Sequence, residues 1–393
     1  MSTFLGLIKE IPGISVDRFD EENLTSSVFF LSHCHYDHMQ GLSDVFFEHL
    51  NVHSKYLYCS PITKALLQNK FNFRTSCVKT IDIDKPVIVE YKLDNEDKII
   101  ITVTCVSAGH CLGSVMFLFE RDNLLVLYTG DFRINPMDFP KLKGLHYHKN
   151  SKLVPRTFTK IYLDTTFLSN DFPSFPSRIK SMTKMRDVVQ NWLSEDPRNV
   201  VILECSANYG SEFLFVELSK LLNMKIHIKD FIYNSYCRIG ELSNHVTNDA
   251  YSTPIHACKN KFTSPNLYCR HDVSIENILI IIPSVMKWRK KDTSIVGTWD
   301  DVKERTFNIC YSTHSSYNEL RAFLQYFKAL EIYPCVVKTE SEEETYRLLN
   351  EITAKSDEKV SVKETYELEL PDYKLLNKPS FKSKYFSSDE DSS

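Results

Sequence analysis

Residues Phe29 to Gly41 read FFLSHCHYDHMQG and place His33, His35, Asp37 and His38 within six positions, directly behind an apolar run. The whole chain has only 13 histidines, so three in one short stretch concentrate a single chemistry. Imidazole and carboxylate are ligands of divalent cations. Two histidines at i and i+2 on extended backbone project to one side, and the aspartate and histidine just beyond can reach a second ion nearby. Further ligands should arrive from later strand ends. VTCVSAGHCLGS carries His110 between two glycines that let the backbone crowd a metal, VLYTGDF offers Asp131 as a bridging carboxylate, and CYSTHSSY offers His314 between a strand and a helix start. Any one of these histidines alone would read as a hydrogen-bonded loop or core residue. Together they read as a centre for one or two ions, with His33, His35, His110 and Asp131 serving the first, and Asp37, His38 and His314 serving a second ion and the leaving side. A cation held there would lower the pKa of bound water towards about 7.

These residues need strands to aim them. Val28 to Leu31, Lys55 to Cys59, Ile99 to Val106, Val115 to Phe119 and Leu124 to Thr129 are rich in β-branched and aromatic residues and separated by turn residues, which predicts antiparallel sheets covered by a few helices. After Lys160 the pattern alternates. KIYLDTT and NVVILEC read as buried strands. TKMRDVVQNWLSE reads as a helix with Met185, Val188, Val189, Trp192 and Leu193 on one face, and SEFLFVELSKLL repeats that spacing. Strand and helix in alternation predict a parallel sheet in this middle part, so two domains follow. Around Thr306 the character of the first part returns, with TFNICYSTHS as a strand and SYNELRAFLQYFKAL as a helix opened by a Ser316/Glu319 capping box. YPCVVK as a strand and a capped helix from Ser341 complete it.

Composition bounds the function. With 393 residues, 42% hydrophobic and 25% charged side chains, the chain is long enough for two ordinary globular domains. A formal charge of -4 excludes nucleic-acid binding by bulk charge, so such a partner must be held by a local basic patch or by metal. Eleven cysteines without a C-x-x-C pair, and a start lacking a basic n-region, are expected of an intracellular chain with reduced thiols. No window approaches eighteen apolar residues, so no membrane span is expected. The serine- and acid-rich end, PSFKSKYFSSDEDSS, is expected to be a disordered tail and a kinase substrate.

The H-x-H-x-D-H run, the later His and the bridging Asp resemble the motifs of the metallo-β-lactamase fold. ISVDRFD, FFLSHCHYDHMQGL, YCSPIT, AGHCLGSVMFLFE, LYTGDFR, YLDTTF, IHAC and HSSYNELRAFL resemble, more narrowly, the cross-link-repair and end-processing DNA nucleases of its β-CASP group, over about Ile14 to Val337. The resemblance implies an α/β fold, a metallo-β-lactamase αββα sandwich with an inserted β-CASP domain. The expected bounds are 1–157 and 306–370 for the two parts of the sandwich, 158–305 for the insert and 371–393 for the tail. It implies catalytic roles for Asp37, His38 and Asp131, and for Asp17 and Asp164, carboxylates that orient ligand histidines, although each of the last two could be a turn or cap residue. It implies that Ser312, Ser315 and Ser316 receive a substrate phosphate at a helix start, with capping as the plain alternative. It also implies a closed structural zinc site of His227, His256, Cys258 and Cys269 in the inserted domain, beside Zn in the active site, with Mg or Mn as alternatives for activity.

The function so implied is a metal-dependent DNA nuclease acting at ends, hairpins or single-strand junctions, a phosphodiesterase of endonuclease or 5′-exonuclease type. It implies a monomer in the nucleus that works in double-strand-break or cross-link repair and meets end-joining proteins. An RNA-processing β-CASP endonuclease is the alternative. RNA-acting members tend to carry a histidine in YPCVVK, where this chain has Val336, which favours DNA. A small-ester or thioester hydrolase is disfavoured by the insert and the serine corner, and a dead scaffold by the full ligand set. Two features depart from the family. Tyr36 and Gln40 are uncharged where basic residues are expected, which implies fewer phosphate contacts, and docking on a long C-terminal tail is not carried over. KWRKK, Lys287 to Lys291, reads as a DNA-backbone contact, an import motif or a solvated face.

Overall fold

The structure, a computed structural model, describes residues 2–93, 98–205, 209–258, 267–337 and 339–354. The expected tail, 371–393, and most of the polar loop before Cys269 lie outside them. Strands β1 (Ile14–Val16), β2 (Val28–Leu31), β3 (Tyr56–Cys59) and β4 (Val78–Thr80) form one sheet in that order. Strands β5 (Val87–Lys92), β6 (Lys98–Ser107), β7 (Val115–Arg121) and β8 (Leu124–Tyr128) begin a second. A hairpin of β9 (His146–Lys149) and β10 (Lys152–Pro155) follows, and then β11 (Phe158–Leu163). The middle of the chain supplies β12 (Val200–Leu203), β13 (Ile226–His227), β14 (Val246–Thr247), β15 (Ile255–His256), β16 (Ile278–Pro283), β17 (Gly297–Trp299) and β18 (Thr306–Ile309). They make a seven-stranded sheet of order β14-β13-β15-β12-β16-β18-β17. The last strand, β19 (Ala329–Pro334), completes the second sheet as β19-β11-β8-β7-β6-β5.

The first segment is not antiparallel throughout, as its turn residues had suggested. β5 to β8 pair with one another antiparallel, but β1 to β4 pair in parallel, and so does β11 with both β8 and β19. The connections that resemble hairpins in sequence are crossovers that carry helices α1 (Asp44–Val52) and α2 (Pro61–Lys70). Both helices start at serine caps, Ser43 accepting from Phe46 N–H and Ser60 from Thr63 N–H. The middle sheet is parallel as expected, except for the β17–β18 pair. Helices α3 (Arg178–Glu195), α4 (Glu212–Leu222) and α5 (Asp230–Tyr236) belong to this segment, and α6 (Tyr317–Tyr326) and α7 (Glu342–Ala354) to the last. The Ser316/Glu319 capping box is present. The helix it opens stops at Tyr326, because Phe327 turns extended, and the final strand therefore covers ALEIYP rather than YPCVVK.

Strand periodicity explains the layers. In β2, Val28 and Phe30 face Phe117, Phe119 and Tyr128 of the six-stranded sheet. Phe29 and Leu31 face outward to Phe46, Leu66 and the middle segment's Leu203, Leu214 and Ile281. The other face of the six-stranded sheet, Met116, Leu118, Leu127 and Ile161, packs on Leu320 and Phe323 of α6 and Leu348 of α7. Helix, sheet, sheet, helix is the αββα order. By strand pairing, Phe158–Leu163 lies with the six-stranded sheet and Thr306–Ile309 with the seven-stranded one, so division by sheet membership runs one strand later at each cut than 157/158 and 305/306. Among the described residues no helix is long and apolar enough to cross a membrane, and all eleven cysteines are free thiols.

Candidate metal centre

The centre forms where strands of both sandwich sheets end. Asp17 follows β1, His33, His35 and His38 follow β2, and His110 lies in the β6–β7 loop. Asp131 follows β8, Asp164 follows β11, and His314 lies between β18 and α6. Gly130 lets the β8 end pass β2, since a Cβ there would lie 2.9 Å from Ser32 Oγ.

Each histidine has one ring nitrogen committed outward, which fixes the tautomer. Ser32 Oγ donates to Asp17 Oδ2 at 2.6 Å and accepts from His33 Nδ1 at 2.9 Å. His38 Nδ1 donates to Asp17 Oδ2 at 2.7 Å, His314 Nδ1 to Asp164 Oδ2 at 2.9 Å, His110 Nδ1 to the Thr313 carbonyl at 2.9 Å, and His35 Nε2 to the Tyr209 carbonyl at 3.0 Å. The remaining nitrogens turn inward around Asp131. Its Oδ2 is 3.7 Å from His33 Nε2, 3.6 Å from His110 Nε2 and 3.8 Å from His314 Nε2, and its Oδ1 is 3.2 Å from His38 Nε2.

This arrangement fits a cation. His35 Nδ1 and His110 Nε2 are 3.0 Å apart, and both are lone-pair nitrogens once their outward N–H bonds are made. The Nε2 atoms of His33 and His38 are buried without a hydrogen-bond partner. Facing lone pairs and orphaned acceptors around a carboxylate are stable only with positive charge between them. Without an ion, protons take that place. Burial disfavours a charged His38, yet Asp131 and Asp17 outweigh it and raise its pKa well above the ordinary range. The same opposition of burial against Asp131 and Asp164 brings His314 up to about 8. Burial, then the neighbouring imidazoles, hold His33 and His110 well below it. Burial would raise the Asp131 carboxyl, but His38 and His314 hold it well below the usual range. Cys111, close to His33, His35 and His110, has its thiol pushed well up by burial and stays protonated.

Asp37 stands at the edge, its Oδ2 3.9 Å from His38 Nε2 and accepting from Ser2 N–H at 3.0 Å. Asp17 and Asp164 lie behind His38 and His314 and bond their outward nitrogens. The Asp17 carboxylate accepts from Ser32 N–H, Ser32 Oγ, His38 and Tyr128 OH, and Asp164 from Phe132 N–H, Thr166 and His314. The serine corner is assembled, but its hydroxyls are used internally. Ser312 Oγ donates to the His314 carbonyl, Ser315 Oγ donates to the Phe132 carbonyl, and Ser316 Oγ caps α6 and donates to Glu319. Val336 lies beside the centre, its carbonyl accepting from Thr165 Oγ1 at 2.6 Å. In KWRKK, Trp288 is buried, Lys287 pairs with Asp300, and Arg289 and Lys290 pair with Asp171. Tyr36 is 84% exposed beside the ligands.

The second set also comes together. β13 and β15 pair with His227 opposite His256, which puts their Nδ1 atoms 3.0 Å apart. Cys258 and Cys269 bring their Sγ atoms to 3.4 Å from each other, and Cys269 lies 3.4 Å from His256 Nδ1. The outer partners Ser32, Tyr128, Thr313 and Tyr209 had no mark in the sequence, because two act through carbonyls that every residue has and two through common hydroxyls.

Comparisons with known proteins bear on the chain as a whole. The profile of a family described as "DNA repair metallo-beta-lactamase" matches residues 240–340. The chain is 37% identical over 355 residues to "Protein artemis" of Homo sapiens, covering 86% of this chain and 49% of that protein. It is 37% identical to the artemis protein of Danio rerio, over 86% of this chain and 54% of that protein. To "DNA cross-link repair 1A protein" of Homo sapiens it is 28% identical over 341 residues, 84% of this chain and 30% of that protein. The chain thus spans about half the length of the artemis proteins it matches. Sandwich, candidate ligand set and homologues agree in making this chain similar to the DNA repair metallo-β-lactamase proteins, whose family profile its residues 240–340 match.

Proposed function

We propose that this protein is a metal-dependent DNA nuclease that hydrolyses phosphodiesters at ends, hairpins or single-strand junctions in break or cross-link repair. The observation that carries this reading is the convergence of four inward imidazole nitrogens on Asp131, with a fifth, His35 Nδ1, facing His110 Nε2. His33, His35, His110 and Asp131 would hold one zinc, with Asp37, His38 and His314 offering a second position for zinc, magnesium or manganese. A cation there would supply activated water and polarise a phosphoryl oxygen of the phosphorus under attack. Asp17 and Asp164 keep His38 and His314 oriented. His314 would meet the second ion through Nε2, because its Nδ1 is bonded to Asp164. The likeness to artemis and DNA cross-link repair 1A proteins, together with Val336, favours DNA over RNA as substrate. On the same grounds we assign the insert, bounded near 158 and 305, a β-CASP role, with a structural zinc at His227, His256, Cys258 and Cys269. We place the protein in the nucleus as a monomer, with end-joining repair proteins as partners.

The test is cleavage, with and without chelator, of hairpin DNA, 5′-phosphorylated single strands, structured RNA and a small thioester. Asp37→Asn should abolish cleavage while folding and DNA binding persist. Wild-type turnover by this variant would refute the metal mechanism. If the corner of Ser312, Ser315 and Ser316 reads a terminal phosphate, its hydroxyls must exchange their internal partners, and dephosphorylated strands are cut more slowly. Equal rates on both ends mark a continuous strand passing through that corner instead.

A further inference from the structure

One imidazole of the centre takes its outer hydrogen bond from the middle segment. His35 Nε2 donates to the carbonyl of Tyr209, 174 residues away, in the turn that leads into α4. Gly210 has φ +111, and a Cβ there would lie 2.5 Å from His35 Nε2, so only glycine lets the turn reach the ring. What holds the turn is Glu212, the first residue of α4, which is 2% exposed. Its Oε1 accepts from Gly210 N–H at 2.8 Å and from the Tyr236 hydroxyl on α5. Its Oε2 accepts from Leu112 N–H at 3.4 Å, in the loop that carries His110. Ser211, at the N-cap, makes no side-chain cap bond, so the Glu212 carboxylate is the acceptor that ties this helix start to both loops. A buried carboxylate is retained at such a cost only where donors converge on it, and a helix start favours its charge.

We propose that Glu212 is a positioning residue of the metal centre. Through the amides of Gly210 and Leu112 it fixes the turn that orients His35 and the loop that presents His110, and so makes cation affinity depend on the order of the 209–212 turn. The proposal rests on the reading of His35 and His110 as metal ligands, and needs no assumption about substrate. Linkage is reciprocal, so cation binding must in turn stabilise the 209–212 turn.

The full chain, stripped of metal, is titrated with zinc against a competing chelator, and the active-site ions are identified as those lost when His33 and His35 are both replaced by Ala. Glu212→Gln and Gly210→Ala should each weaken those ions about 10–100-fold, the range for losing an outer partner of a ligand. Zinc at His227, His256, Cys258 and Cys269 should be unaffected. In the wild type, zinc should slow amide hydrogen exchange at residues 209–212. A purely structural role would lower the melting temperature of Glu212→Gln and leave active-site affinity within twofold of wild type, which overturns the proposal. If Glu212→Gln does not fold, Gly210→Ala, confined to the turn, decides by the same affinity criterion. A wild-type chain without any zinc that the double replacement removes would overturn the metal-centre reading itself and this proposal with it.

Discussion

Replacing Asp17 by Asn isolates the orienting shell of the centre, because the two side chains have the same shape and the φ of 55° at this position suits Asn as well as Asp. In the native protein Oδ1 accepts from Ser32 N–H at 2.7 Å, and Oδ2 accepts from Ser32 Oγ at 2.6 Å, His38 Nδ1 at 2.7 Å and Tyr128 OH at 2.8 Å. An amide has one acceptor oxygen. Its better orientation keeps that oxygen towards His38, Tyr128 and Ser32 Oγ and turns its NH2 against the Ser32 amide. One buried N–H then loses its partner, at about 1–3 kcal/mol, and three charge-assisted bonds become neutral ones. The imidazole of His38 becomes less basic at its inward Nε2. Weakening an outer partner typically lowers metal affinity about 10–100-fold, which is about 1.4–2.7 kcal/mol. Two measurements check this: the denaturant midpoint of the metal-free protein, and active-site zinc affinity by chelator competition. Zinc affinity within twofold of wild type in a protein destabilised as expected would refute the reasoning, since it would mean that Asp17 supports the strand ends without acting through His38.

Cys258→Ala should remove about one zinc per chain and lower the melting temperature together, with activity per folded molecule little changed, because a closed four-ligand site leaves no open position. Elemental analysis beside a thermal melt decides it, and full zinc retention would refute the site. Active-site zinc affinity should fall as pH drops through about 8, because His314, raised by Asp131 and Asp164 against burial, binds a proton below that pH at the nitrogen the ion needs. Asp164→Asn should move the fall to lower pH, and chelator competition between pH 6.5 and 8.5, bracketing the His314 value of about 8, would show it. Ser316→Ala should destabilise the chain by about 1 kcal/mol through loss of the α6 capping box, read as a shifted denaturant midpoint with unchanged slope.

The sequence was most informative where chemistry is local. The His33–His38 run, the glycine-flanked His110 and the strand-end Asp131 could be read because ligand type and strand-end position both show in a few neighbouring letters. His227 and His256 could be grouped only through resemblance, and it is the parallel register of β13 and β15 that makes them neighbours. The parallel β1–β4 sheet was misread because short crossovers and hairpins use the same turn residues, and strand direction is decided by what packs over the connection. β19 was displaced because KAL and YPC suit helix and strand equally until Phe327 adopts an extended conformation. The serine corner looked free in sequence, since a hydroxyl's partner is set by tertiary contacts such as Ser315 with Phe132. The Tyr209 carbonyl on His35 lay beyond any reading of spacing, because a backbone acceptor carries no residue identity.

The candidate ligands of this centre are drawn from His33 to His314, and β19 closes against β11 with Phe158 opposite Ala329. On the ribosome, the first six of the seven candidate metal ligands emerge long before the last, and the bed for β19 waits through the making of the entire seven-stranded sheet. Contacts so distant in sequence form late and slowly. A nascent or truncated chain that ends before His314 therefore lacks both the last candidate ligand and the helix that follows it, so the full ligand set can assemble only after the seven-stranded sheet has been made.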